Sequence, residues 1–291
     1  VADTIALRGV QAFGRHGVLP VEREHGQDFL VDVVMQVDAA AAAATDDVAD
    51  TVDYSQVAAT VVRLVSGPAH QLIETLGAEI ADTVQLEHEE VQEVSVTVHK
   101  PAAPVGVPFE DVAVTVRRRR DLPVVIALGA NQGRAARTVR DAVRELADVP
   151  GLRGVRASEL FLTVPVGGPE QDDYVNAVAL ARTSLPPRVL LSRLHEIEQR
   201  HGRVRGVRWG PRTLDLDLIQ YGDPRAGSEV RREEHGLSLP HPRAVERAFV
   251  LVPWHDVDPA ASLSTGSELV ALSDLVDTLD TTGVRPRGIE A

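Results

Sequence analysis

Two residue types are missing or nearly so from this chain of 291 residues: cysteine is absent, and only one of 30 basic residues, Lys100, is a lysine. Without cysteine there can be no disulfide, no thiolate nucleophile and no cysteine-ligated zinc. No apolar run approaches the roughly 20 residues needed to cross a bilayer. Val1 is followed by Asp3 and Arg8 rather than by a basic segment and a long apolar stretch, so neither a membrane partner nor a secretory leader is expected, and a cytoplasmic location is. The formal charge is −13, with 9 basic against 19 acidic residues up to Arg120 and 21 against 24 beyond it. That balance argues against a nucleic-acid partner. The basic run 117–120 falls where a strand ends, which is ordinarily a solvated boundary.

What is present is ample for two cores. With 44% apolar residues the length predicts two domains, 1–120 and 121–291. Alternation and helical periodicity predict strands over 4–13, 29–38, 91–100 and 109–118, with helices over 55–65 and 72–85. The six alanines 39–44 look like a short helical turn. A second pattern begins at once: a strand over 124–128, a Gly-Ala-Asn-Gln-Gly turn, a helix over 136–146, strands over 157–163 and 174–181, a helix over 187–201, then the strand at Asp215 and Asp217. This β-α-β-β-α-β order predicts a ferredoxin-like α+β layer, with 240–249 and a low-complexity C-terminal tail at its edge.

The most chemically loaded stretch runs from Arg208 to Leu218, RWGPRTLDLDL. As a strand it turns Leu214, Leu216 and Leu218 to the core and both aspartates out of the opposite face. Carboxylates at i and i+2 stand about 6.5–7 Å apart, so their oxygens can converge on two cations roughly 4 Å apart, and oxygen-only ligands favour magnesium. Arg200, Arg203, Arg205, Arg208 and Arg212 lie just upstream, forked donors matched to phosphate oxygens. A nucleotide triphosphate is the natural guest; a half-buried strand with solvated aspartates is the bland alternative.

The sole lysine poses a second question. Val94, Val96 and Val98 share one strand face and Lys100 continues the row, so its ammonium should be partly desolvated. An amine placed so can exchange a proton where a guanidinium cannot. Alternatively it is a snorkelling lysine at a strand end.

The later run closely resembles the signature of hydroxymethyl-dihydropterin pyrophosphokinase in Gly210, Pro211, Arg212, Asp215 and Asp217. Further family motifs follow in order: Ser158, Phe161 (in place of the usual tyrosine), Thr163, Pro165 and Gly167; Tyr174 and Asn176; Glu198, Arg203 and Arg205; His241 and Arg247; and Phe249. The resemblance implies a pterin pocket lined by Thr163, Val166, Tyr174, Asn176 and Phe249. It implies ATP held by Glu198, Arg203, Arg205, Arg212, His241 and Arg247, with Arg203 and Arg212 assisting the transfer, and two magnesium ions on Asp215 and Asp217. Gly236 stands where some relatives carry another cation.

Residues 1–120 resemble dihydroneopterin aldolase: Ile5 to Gly9, then Gly14, His16, Gly17 and Glu22; Thr51, Val52 and Tyr54; Leu72, Ile73, Glu74 and Leu76; Lys100 and Pro104. The resemblance implies a tunnelling-fold (T-fold) antiparallel sheet with two helices, assembled into a homo-oligomer, an octamer, with sites between subunits. It implies pterin held by Glu74, Val52 and Ile73, with Lys100 as base or proton shuttle, Tyr54 as a relay and Glu22 acting through water. No cofactor is implied there, because the dihydropterin ring itself stores the electrons released by cleavage.

The product of the first reaction is the substrate of the second, so the two resemblances together imply one bifunctional enzyme of folate biosynthesis. The competing reading keeps an active pyrophosphokinase and makes the first domain a non-catalytic pterin-binding or oligomerisation module.

Overall fold

The computed structural model describes residues 3–165, 169–203, 211–234, 236–266 and 268–288. The chain forms two compact units, Val1–Arg120 and Asp121–Ala291. Among the described residues no helix is long and apolar enough to cross a membrane.

In the first unit β1 (Asp3–Gly14), β2 (Gln27–Val37), β3 (Glu93–His99) and β4 (Ala113–Arg119) form an antiparallel sheet in that order. Between them lie α1 (Pro20–His25), α2 (Ala40–Thr45), α3 (Tyr54–Val65) and α4 (Ile73–Glu87). One sheet face carries Phe29, Val31, Val33, Val94, Val96 and Val98. It packs on the apolar stripes of α3 and α4, including Val57, Val61, Leu76 and Ile80. This is the expected antiparallel sheet with two long helices. A bulge in β1 between Leu7 and Val10 is made by Gly9, whose φ of 66° suits glycine and whose N–H donates to Asp32 Oδ1 at 2.7 Å. Strand β4 starts four residues later than the alternation predicts, and no sequence pattern announces α1. Arg120 closes the unit, its guanidinium donating to the carbonyls of Gln85, His88 and Val91 at the end of α4.

The second unit contains β5 (Leu122–Ala130), α5 (Ala135–Ala147), β6 (Leu152–Ala157), β7 (Phe161–Thr163), β8 (Tyr174–Thr183), α6 (Pro187–Arg200) and β9 (Asp215–Tyr221). Strands run β7-β8-β5-β9 across the sheet, with β6 also on β8, all antiparallel. This is the ferredoxin-like arrangement. Asp121, next to Arg120, is gripped by Arg153 and Arg182 of this unit.

Two expectations need correction. The strand predicted over 157–163 is broken, because Ser158 bonds Val178 through both its N–H and its Oγ and displaces the ladder between β6 and β7. The C-terminal segment is not a low-complexity tail. After a short hairpin, β10 (Arg232–Glu234) and β11 (Leu237–Leu239), it forms α7 (Ala248–Val257), β12 (Ser262–Thr265), β13 (Glu268–Ala271), α8 (Leu272–Thr278) and β14 (Val284–Pro286). Only β14 extends the sheet edge, on β7. Helices α5 and α6 cover one face, over Ile126, Leu128, Leu216 and Leu218. Val250, Leu251 and Trp254 of α7 build a second core on the other, over Val125, Val178 and Ile219.

Candidate active sites

In the first unit a short loop and one turn of helix deliver a carboxylate to the lysine. Pro20 opens α1, and Glu22 turns one oxygen back to accept from the Leu19 N–H at 2.9 Å. Its other oxygen meets Lys100 Nζ at 2.5 Å, and the two side chains are only 8% and 9% exposed. Gly17 makes room: a Cβ there would stand 2.4 Å from the Glu22 carboxyl carbon. Burial pushes the Glu22 carboxyl up, but the Lys100 hydrogen bond and the Leu19 amide outweigh it and hold the group below its ordinary value. Lys100 continues the buried valine row as expected.

Behind this pair sits His16, 1% exposed. Its Nδ1 accepts from the His70 N–H at 3.0 Å and its Nε2 donates to the Val65 carbonyl at 2.8 Å, a pairing that requires the neutral ring. Burial, helped by His70 and Lys100, lowers its pKa. In the sequence His16 stands out only as part of a motif; its role as a clamp is visible from these bonds alone.

The other candidates of this unit are not joined to the pair. Tyr54 is 62% exposed at the start of α3, and Glu74 is exposed in the first turn of α4. Neither side chain makes a hydrogen bond or ion pair among the described residues. Val52 and Ile73 pack their side chains into the core.

The second unit concentrates its candidates. Leu214, Leu216 and Leu218 are buried and the aspartates leave the opposite face of β9, as the alternation requires. Asp215 is ion-paired with Arg212 and with Arg203, the latter at 2.7 Å. Arg203 also pairs with buried Glu198, which accepts the Leu216 N–H at 2.7 Å. Asp217 meets Arg247 at 2.9 Å, and Arg247 lies 5.6 Å from the Phe249 ring centre. Burial and then repulsion from Asp217 raise the Asp215 pKa, against the pull of Arg212 and Arg203. His241 is lowered by burial, with Asp217 raising and Arg247 lowering it; its Nδ1 accepts from the Arg243 N–H at 3.2 Å. Among the residues expected to line a pterin pocket, Asn176 donates to Thr163 Oγ1 at 2.6 Å, and a Cβ at Gly129 would stand 2.7 Å from Asn176 Oδ1. Tyr174 donates to Gln171, and burial raises its pKa. Val166, Gly167, Arg205, Arg208 and Gly210 lie outside the described residues. Gly236 turns the β10–β11 hairpin with φ 81°.

The two aspartates fit a hard cation: both offer oxygen, they repel one another, and Asp215 Oδ1 is buried without an aligned hydrogen bond. Magnesium is characteristically held by one or two carboxylates and shared with substrate phosphates.

Comparison with known proteins separates the chain at the same place. Residues 5–117 match the family model for dihydroneopterin aldolase, and residues 125–259 match that for 7,8-dihydro-6-hydroxymethylpterin-pyrophosphokinase. A dihydroneopterin aldolase of Streptomyces coelicolor is 56% identical over 118 residues, covering 40% of this chain and 98% of that protein. A 2-amino-4-hydroxy-6-hydroxymethyldihydropteridine pyrophosphokinase of Mycobacterium tuberculosis is 46% identical over 146 residues, covering 48% of this chain and 75% of that protein. The folic acid synthesis protein fol1 of Pneumocystis carinii is 27% identical over 296 residues, spanning 94% of this chain and 39% of its own length.

Proposed function

Because the chain belongs to the dihydroneopterin aldolase family in its first unit and to the hydroxymethyldihydropterin pyrophosphokinase family in its second, we propose that residues 1–120 and 121–291 catalyse successive steps of folate biosynthesis. The observation that carries this is the buried Glu22–Lys100 pair in one unit together with the Asp215–Asp217 strand among arginines in the other.

In the first reaction a proton leaves the side-chain hydroxyl of dihydroneopterin and the adjacent carbon–carbon bond breaks. Glycolaldehyde departs, the electron pair runs into the pterin ring, and the carbon left on the ring takes a proton to give 6-hydroxymethyl-7,8-dihydropterin. Lys100, held by Glu22, moves protons at that centre, Tyr54 relays them, and Glu74 accepts the pterin's ring and amino N–H groups in a bidentate fit; Val52 and Ile73 flank the ring. Tyr54 stands exposed, as do Phe13, Val18, Leu19, Val21 and Leu72. These exposed side chains support a homo-oligomer through the first unit, an octamer, whose sites close between copies.

In the second reaction the new hydroxymethyl oxygen attacks the β-phosphorus of ATP, the bond to the bridging oxygen breaks, AMP leaves, and the hydroxyl proton is lost. Thr163, Val166, Tyr174, Asn176 and Phe249 hold the pterin. Glu198, Arg203, Arg205, Arg212, His241 and Arg247 hold the nucleotide in line. Asp215 and Asp217 would hold magnesium, which when bound neutralises charge on the phosphate oxygens. We place the protein in the cytoplasm, with dihydropterins and ATP as its partners.

Mass spectrometry of products from dihydroneopterin tests both halves. Glycolaldehyde and hydroxymethyl-dihydropterin are expected without ATP, and the pyrophosphate ester with AMP once ATP and magnesium are added. Intact dihydroneopterin alongside AMP formation from added hydroxymethyl-dihydropterin would leave the first unit a non-catalytic module.

A further inference from the structure

At the end of β5, Asn131 is 7% exposed and belongs to none of the groups assigned above. Its backbone and side chain both engage Arg212: the Asn131 N–H donates to the Arg212 carbonyl at 3.0 Å, and Asn131 Oδ1 accepts the Arg212 N–H at 2.8 Å. Its Nδ2 donates in another direction, to Gln171 Oε1 at 2.9 Å and the Asp172 carbonyl at 3.1 Å. Gln171 Oε1 also accepts from Tyr174 Oη at 3.2 Å. One buried amide thus ties the segment that carries Arg212 and Asp215 to the segment that carries Tyr174 and Asn176.

The chemistry admits few substitutes. The Arg212 N–H can only donate and the Asp172 carbonyl can only accept, so the amide has one orientation and must offer an acceptor on one side and donors on the other. Aspartate would keep the first link and turn an oxygen toward two further oxygens. Alanine would strand three partners, the Arg212 N–H, Gln171 Oε1 and the Asp172 carbonyl.

We infer that Asn131 is a positioning residue that couples nucleotide binding to pterin binding. Nucleotide phosphates that draw on Arg212 order the backbone at 211–215, and Asn131 transmits that order through Gln171 to the Tyr174 wall of the pterin pocket. Coupling of this kind is a ratio of affinities, and it is reciprocal.

The inference rests on the pyrophosphokinase reading. The test uses the full chain and measures the Kd of hydroxymethyl-dihydropterin by titration calorimetry, with and without magnesium and an ATP analogue carrying a methylene bridge between its α- and β-phosphates. In the unaltered chain the analogue should tighten pterin binding by about 10-fold, within the usual 5–150-fold span of such couplings. Asn131→Asp and Gln171→Ala should each bring the ratio close to one. Gln171→Ala, which leaves Arg212 untouched, should bind the analogue alone as the unaltered chain does. An unaltered chain with no tightening, or folded variants that keep the full ratio, would overturn the inference. Should Asn131→Asp fail to fold, Gln171→Ala decides alone. AMP production by the unaltered chain is scored separately, so a wrong coupling assignment and a wrong activity give different results.

Discussion

In the second unit one line of contacts runs from Glu198 through Arg203, Asp215 and Arg212 to Asn131, Gln171 and Tyr174, all within a single chain. In the first unit the corresponding line is two residues long, Glu22 and Lys100, while Tyr54 and Glu74 stand exposed. Both units are antiparallel sheets with helices, so the contrast lies in the placement of their chemistry. A ferredoxin-like layer with helices on both faces leaves its functional groups at one end of the sheet, where strand ends and loops converge. The first unit places its groups at the starts of helices and on a short loop, where the proposed oligomer would complete them.

The sharpest way to break this comparison is Lys100→Arg. The cation survives but cannot shed a proton near neutral pH, so glycolaldehyde release should fall by about 10²–10⁴-fold while AMP formation from added hydroxymethyl-dihydropterin stays unchanged. Retention of most of the cleavage rate would reduce Lys100 to a structural partner of Glu22. The mirror experiment is Asp215→Asn or Asp217→Asn, which should lower AMP formation on the order of 100-fold, as removal of one electrostatic contact to a transition state commonly does. Aldol cleavage should be untouched; an equal loss of both activities would show that the substitution acts through folding.

A finer test asks whether the first unit's site is shared between copies. Tyr54→Phe and Lys100→Arg chains, each weak alone, should recover cleavage when refolded together, to about a quarter of the unaltered rate if each site draws one residue from each of two randomly mixed copies. No recovery would place Tyr54 and Lys100 in the same chain's site. The smallest effect concerns His16. Its folded-state pKa is lowered, so the unfolded chain binds the extra proton first as pH falls through the ordinary histidine value near 6.5. Stability from this group is therefore complete above that pH and lost below it. Thermal unfolding of the first unit should weaken between about pH 7.5 and about pH 5.5, and His16→Gln should flatten that dependence. A midpoint that moves equally in both proteins would assign the acid sensitivity elsewhere.

Much of this was legible from spacing. The Leu-Asp alternation at 214–218 placed both carboxylates, and the valine row placed Lys100, because strand faces obey a period of two. What stayed hidden has no period. Helix α1 is six residues long, too short to show an apolar stripe, so the arrival of Glu22 at Lys100 could not be read from pattern. Trp254 and its neighbours form a second core because α7 is apolar nearly all round, a composition that periodicity does not assign to a face. Asn131 sits in a turn whose Asn and Gly residues suggest only a turn. Its side-chain partners, Gln171, Asp172 and Arg212, lie far along the chain, and only the fold assembles them.

The latch at Arg120 has a practical meaning for anyone who would divide this protein. Arg120 holds the carbonyls at the end of α4, and its neighbour Asp121 is claimed by arginines of the other unit. Consecutive residues thus answer to different bodies, and the joint is one peptide bond with no spare chain on either side. A fission that falls a residue early strips a helix of its terminal donors, and one that falls a residue late leaves two guanidiniums without their carboxylate. Deliberate dissection has a single bond to choose.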